Sequence, residues 1–244
     1  MRWTAWVLAL LIAGPAAAGQ QAYHSGSHQV TLLELYTSEG CSSCPPADRW
    51  LSGLKSRDDL WSRLVPVAFH VDYWDHLGWK DRFSDARFSR RQRAYAGLWG
   101  HGVVYTPGFV LNGREWRGGP FRGSLRLADG PAPGRLRAMV DGRRVAVRYR
   151  PDAPAERPLV AHVAVLGFDR ETAVDAGENR GRTLHHDFVV LAYRTLRLAS
   201  DPDKGLTATA IIPEVTGASG RTALATWVSA RGSPAPLQAT GGWL

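Results

Sequence analysis

The stretch 37-TSEGCSSCPPADRW-50 holds both cysteines of a 244-residue chain. Two residues separate Cys41 from Cys44. That spacing fits the first turn of a helix, where two sulfurs can bond or part with little backbone movement. A helix N-terminus carries partial positive charge, which favours thiolate over thiol at the first cysteine. A thiolate attacks a disulfide, and a second thiol resolves the mixed product. In that chemistry Cys41 is the exposed attacker and Cys44 the buried resolver. Two other readings fit the same residues. One is an inert staple. The other is half of a zinc or copper site completed by His70, His76 or His101, because the chain has no further cysteine. Pro45 and Pro46 suit the first helical turn, where a missing N–H has no partner to lose.

Upstream of the motif, 30-VTLLELYT-37 is a nearly continuous apolar run, the profile of a strand buried on both faces. Downstream, Trp50, Leu51 and Leu54 share one helical face. A second apolar run, 64-LVPVAFHVD-72, follows. Strand, helix and strand in that order predict a right-handed crossover and a parallel pair. Residues 84–100 predict a helix with Ser84 as N-cap and with Phe88, Arg91 and Tyr95 at helical spacing. Arg87, Arg90, Arg91 and Arg93 read as its solvated face. Asn112-Gly113 is the turn pair of a hairpin within 105–118, and residues 119–129 suit a short final helix.

Proline and glycine then cluster at 129-DGPAPG-134, a linker composition. Beyond it the chain alternates apolar and polar residues around Asp141-Gly142, and four more strand-like runs follow within 159–230. This half reads as all-β and sandwich-like.

The N-terminus sets the compartment. Arg2, the apolar run 6-WVLALLIAG-14 and the small residues Ala16–Ala18 form a secretory signal peptide over 1–18, too short to span a bilayer. A polar lead-in covers 19–29. The chain is expected to be periplasmic or secreted, with no stable membrane span after cleavage. Disulfides persist there, and two cysteines can pair only with each other. The formal charge of +8 suits a basic envelope protein. Only 87–93 clusters Lys and Arg, so nucleic acid is not expected as a partner.

Other groups accompany the cysteines. Tyr73, Trp74 and Trp79, interleaved with Asp72, Asp75, His76 and Asp81, make either a substrate-facing wall or a packing insertion with its indole N–H groups capped by carboxylates. The polar loop 177-GENRGRTLHHDF-188 reads as the turn that docks the β half onto the first. His185 and His186, neighbours on a strand, point to opposite faces and cannot easily share one ion.

Four stretches carry a family resemblance: "ELYTSEGCSSCPPAD", "HVDYWDHLGWKDRFSDARFSRRQRAYA", "VYTPGFVLNG" and "GENRGRTLHHDFVV". They resemble the secreted bacterial family catalogued as domain of unknown function 1223, which is regarded as thioredoxin-like. The resemblance implies an α/β thioredoxin-like domain with a helical insertion over 30–130, followed by a β-sandwich-like domain over 131–244. It implies a cis Pro107 facing the disulfide, with Thr106 free to pair with an extended peptide. It also implies Glu34 as a buried acid beneath the second cysteine, able to shuttle a proton. The expected activity is thiol–disulfide exchange with protein or small-molecule thiols and disulfides. Cys41–Cys44 is then the redox group, and no metal or other cofactor is expected. The competing reading is a non-catalytic binding protein with a permanent disulfide.

Overall fold

The computed structural model describes residues 20–119, 124–214 and 220–244. The expected signal peptide lies outside them. The helix expected over 119–129 is partly outside; residues 124–129 are irregular.

The first apolar run forms β2 (Thr31–Thr37), buried along its whole length, after a short edge strand β1 (Gln21–His24) within the expected lead-in. Helix α1 (Pro45–Ser52) follows the cysteines and leads to β3 (Leu64–His70). β2 and β3 are parallel, with Thr37 beside His70, as the crossover requires. Helix α2 (Ala86–Leu98) is capped by the Asp85 carboxylate rather than by Ser84. The hairpin β4 (Gly108–Leu111) and β5 (Arg114–Glu115) turns at Asn112-Gly113, both at positive φ.

The second half contributes β6 (Gly134–Asp141), β7 (Arg144–Pro151), β8 (Leu159–Gly167), β9 (Arg170–Ala173), β10 (Thr183–His186), β11 (Val189–Arg197), β12 (Ala199–Asp201), β13 (Gly205–Ile211), β14 (Thr222–Ala230) and β15 (Pro236–Trp243). One sheet has eight strands in the order β15-β14-β8-β11-β3-β2-β4-β5, and a second has the order β1-β6-β7-β13-β12. Leu136, Ala138, Val145 and Val147 of the five-stranded sheet pack on Val163, Val165, Leu224 and Val228 of the larger one.

This arrangement overturns the expected α/β thioredoxin-like domain with a helical insertion. Fifteen strands and two α-helices make a mostly β protein among the described residues. The physical reason lies at the edge of β3. β11 pairs with it in parallel through Val189 and Ala68, and β8, β14 and β15 extend the ladder. Strands from both sides of residue 130 therefore share one sheet.

Candidate functional site

Cys41 and Cys44 form a disulfide with their Cα atoms 5.4 Å apart. Cys44 is the N-cap of α1, and Pro45 and Pro46 fill the first two helical positions. Neither proline has an N–H. The Ala47 and Asp48 N–H groups both donate to the Cys44 carbonyl, at 2.9 and 3.1 Å. The first turn therefore offers a thiolate its dipole but no spare donor.

Both cysteines are fully buried, while Ser42 and Ser43 between them are exposed. This corrects the expectation of an exposed Cys41. The cover comes from two sides. Trp74 packs so closely on Gly40 that a side-chain carbon there would lie 3.0 Å from the Trp74 Cβ. From the other side, the Asn179 amide donates to the carbonyls of Glu39 (2.8 Å) and Cys41 (3.0 Å), and Glu178 accepts from the Ser42 N–H at 3.0 Å. The 177–188 loop thus docks on the cysteine loop itself.

The Thr106-Pro107 peptide bond is cis. β4 starts directly after it and pairs Gly108 with Tyr36, which sets this segment beside the end of β2. Trp74 links the two loops, because its indole N–H donates to Thr106 Oγ1 at 2.8 Å. Thr106 thus has an internal partner. Tyr73 donates to Gln92 (3.1 Å), burial pushes its hydroxyl up to about 12, and Trp79 donates to Glu39 (2.8 Å). All three aromatics are half-buried with their polar ends capped. Gly108 fits tightly, since a Cβ there would meet the Tyr105 carbonyl at 2.9 Å. A cavity of about 390 Å³ opens on Pro107, lined by Tyr105, Phe109, Trp116 and Arg117. Of these lining residues, the sequence singled out only Pro107.

The cysteine loop and α1 contribute to a group of buried ionisable side chains. Glu39, Asp48, His70, Asp81 and His186 are each no more than 6% exposed. His70 Nδ1 and Asp81 Oδ2 are 2.6 Å apart, and Asp81 also accepts from the Glu39 N–H at 2.9 Å. His186 Nε2 approaches Glu39 Oε1 at 3.3 Å, and its Nδ1 approaches Asp48 Oδ2 at 3.9 Å. These approaches are close enough for charge attraction but poorly aligned for hydrogen bonds. Glu39 Oε1, His70 Nε2 and both His186 nitrogens lack an aligned partner among the described residues. Burial would push His70 down, yet the Asp81 carboxylate, then Asp48 and Glu39, hold it above its ordinary value. Burial also pushes Asp48 up, against the pull of His186 and His70. Asp81 ends below the usual carboxylate range: His70 and two backbone N–H groups outweigh its burial. His70 is therefore the ion-pair partner of Asp81. Among the described residues no three His, Cys, Asp or Glu side chains are arranged to hold a metal.

Glu34 does not lie in this group. Side chains alternate along a strand, so Glu34 and Tyr36 face one side of β2, and Leu35 and Thr37 the other. Trp50 of α1 packs edge-to-face on Phe109, the register partner of Leu35, which places α1 on the side away from Glu34. Glu34 instead meets Arg91 of α2 through two hydrogen bonds of 2.6 and 2.9 Å. Tyr36 and Tyr95 donate to it at 2.9 and 2.5 Å. The proton-shuttle role expected for Glu34 is thereby corrected. Arg91, read as part of a solvated face, is buried over the rings of Phe69 and Trp227.

Fold and site together define a class: a mostly β protein with a buried Cys-x-x-Cys disulfide at a helix start and a buried acid–imidazole group that includes Glu39 of the cysteine loop and Asp48 of α1. The chain belongs to the DUF1223 family, described as a protein of unknown function, whose model matches residues 32–229. The crystal structure of AGR_C_4864 from Agrobacterium tumefaciens is similar, with a TM-score of 0.56, 25% identity, and coverage of 90% of this chain and 96% of that one. HBP35 of Porphyromonas gingivalis shares the fold with a TM-score of 0.58 at 17% identity, covering 90% of this chain and 76% of that one. No curated protein matches.

Proposed function

We propose that this chain is a thiol–disulfide exchange protein of the periplasm or extracellular space, with Cys41–Cys44 as its reactive bond. The observation that supports this most is the buried group of three carboxylates and two imidazoles that draws Glu39 from the cysteine loop and Asp48 from the helix capped by Cys44. Exchange moves protons as well as electrons. A partner thiolate attacks Cys41 Sγ, the Cys41–Cys44 bond breaks, and Cys44 leaves as a thiolate that must be protonated. A second partner thiol then releases Cys41, leaving two thiols on this chain and one disulfide on the partner. Asp48, one helical turn beyond Cys44 and raised by burial, is the nearest acid in sequence to that leaving group. The partners are protein or small-molecule thiols, entering over the exposed Ser42–Ser43 tip.

The complete burial of both cysteines favours a second reading, a permanent structural bond in a binding protein. The reduction potential separates the two. A catalytic pair is expected above about −300 mV and a structural bond below it. In parallel, Cys44→Ala is expected to trap mixed disulfides through Cys41. A potential below that limit with no trapped partner sinks the exchange reading.

A further inference from the structure

The outer face of the five-stranded sheet gathers four arginines, remote in sequence from the cysteines. In the β6–β7 hairpin Arg135 stands directly opposite Arg150, and Arg137 directly opposite Arg148. His24 on β1 stands beside Arg137 in the same row. Like charges placed directly opposite on neighbouring strands repel and cost stability. Here two such pairs follow one another, about 7 Å apart along the strands.

Acids do not relieve them. Arg57, Arg63, Arg87 and Arg117 each pair with a carboxylate. Arg135, Arg137 and Arg148 have no ion pair or side-chain hydrogen bond among the described residues. Arg150 donates only to the backbone carbonyls of Asp203 and Lys204. The inner face of the same hairpin, with Leu136, Ala138, Val145 and Val147, is committed to the core. Packing therefore fixes the side on which the arginines gather, but it does not ask for arginine there.

The face is concave. His24 closes it on one side and Lys204, in the turn before β13, on the other. Together with Ser25 and the four arginines they line a cavity of about 380 Å³. A guanidinium fork matches two oxygens of a phosphate group. A lone carboxylate would neutralise one of the four arginines, whereas linked phosphates can answer both rows at once. A bounded cavity suits a compact ligand better than a flat membrane or a long polymer.

We propose that this cavity binds a small soluble oligophosphate, a chain of two or more linked phosphate groups, held by Arg135, Arg137, Arg148 and Arg150 with Lys204 and His24 at its margins. The site is independent of the exchange chemistry.

Calorimetric titration of the full chain with inorganic tripolyphosphate at low ionic strength tests it. One saturable site is expected, weakening steeply as salt is added. Arg137→Gln with Arg148→Gln should lower the affinity at least about tenfold, while Arg57→Gln leaves it unchanged. Should the double variant melt early, Arg137→Gln alone, a change on an exposed side chain, carries the same expectation of weaker binding. Absence of saturable binding overturns the proposal. So does an equal affinity in the Arg137 variant, or binding confined to anionic vesicles or duplex DNA with none to tripolyphosphate.

Discussion

On one face of β2, Glu34 meets Arg91; toward the other, His70 at the end of β3 joins Asp81, Glu39, Asp48 and His186. Both are buried charge sites, and they differ in how completely they are satisfied. Each Glu34 oxygen takes two hydrogen bonds, and Arg91 also donates to the Pro234 carbonyl at 3.0 Å. The opposite group leaves Glu39 Oε1, His70 Nε2 and both His186 nitrogens without aligned partners. A saturated network holds two layers of a core in one arrangement. An unsaturated one costs stability, and such costs gather at sites that bind or react. The difference separates a structural ion pair from a candidate proton reservoir within one sheet.

The sharpest way to break the comparison is Glu34→Ala. It strands the Arg91 guanidinium in the core and should cost about 3–5 kcal/mol in urea denaturation. The disulfide's reduction potential should stay unchanged, because Glu34 faces away from it. A shift in potential beyond what the destabilisation itself brings would erase the distinction between the faces.

A smaller effect is expected from pH. The folded-state pKa of His70 lies above the ordinary value, so its pairing with Asp81 contributes fully below about pH 6.5 and is lost as pH rises through the raised value. Asp81 is depressed, so its contribution is present above about pH 3.8 and fades as pH falls through its folded-state value. Stability from this pair should therefore decline as pH rises from about 6.5 through the raised His70 value, and His70→Gln should flatten that decline. Identical pH slopes for the two proteins in denaturant melts would show that the pair does not titrate as argued.

The mildest change is Trp74→Phe, which removes one hydrogen bond to Thr106 and keeps most of the packing on Gly40. About 1 kcal/mol of stability should go. The Cys41–Cys44 bond should be reduced faster by a small thiol, as the cover loosens. An unchanged reduction rate would mean that Trp74 does not guard the sulfurs.

Much of the local structure was readable from the chain. The largely apolar runs gave β2, β3, β8 and β14, because strands buried on both faces need no regular polar alternation. Asn112-Gly113 and the glycine of Asp141-Gly142 marked their turns through their tolerance of positive φ. The capture of β3 by β11 left no local mark, since an open strand edge looks the same in sequence whether solvent or another strand fills it. Arg91 did leave one: its spacing with Phe88 and Tyr95 puts it on the inward stripe of α2, but three neighbouring arginines argued for solvent. Glu34 was displaced to the wrong face by analogy, where strand alternation alone would have separated it from Thr37. The acid–imidazole group drew residues from the cysteine loop, α1, β3, the aromatic insertion and β10. Only the fold brings those together.

The Asn179 side chain that fastens the Cys41 carbonyl is 138 residues away along the chain. A growing polypeptide therefore displays both sulfurs long before it has made the residues that enclose them. Through all the intervening synthesis the cysteines lack that cover, and it arrives only with the last third of the chain.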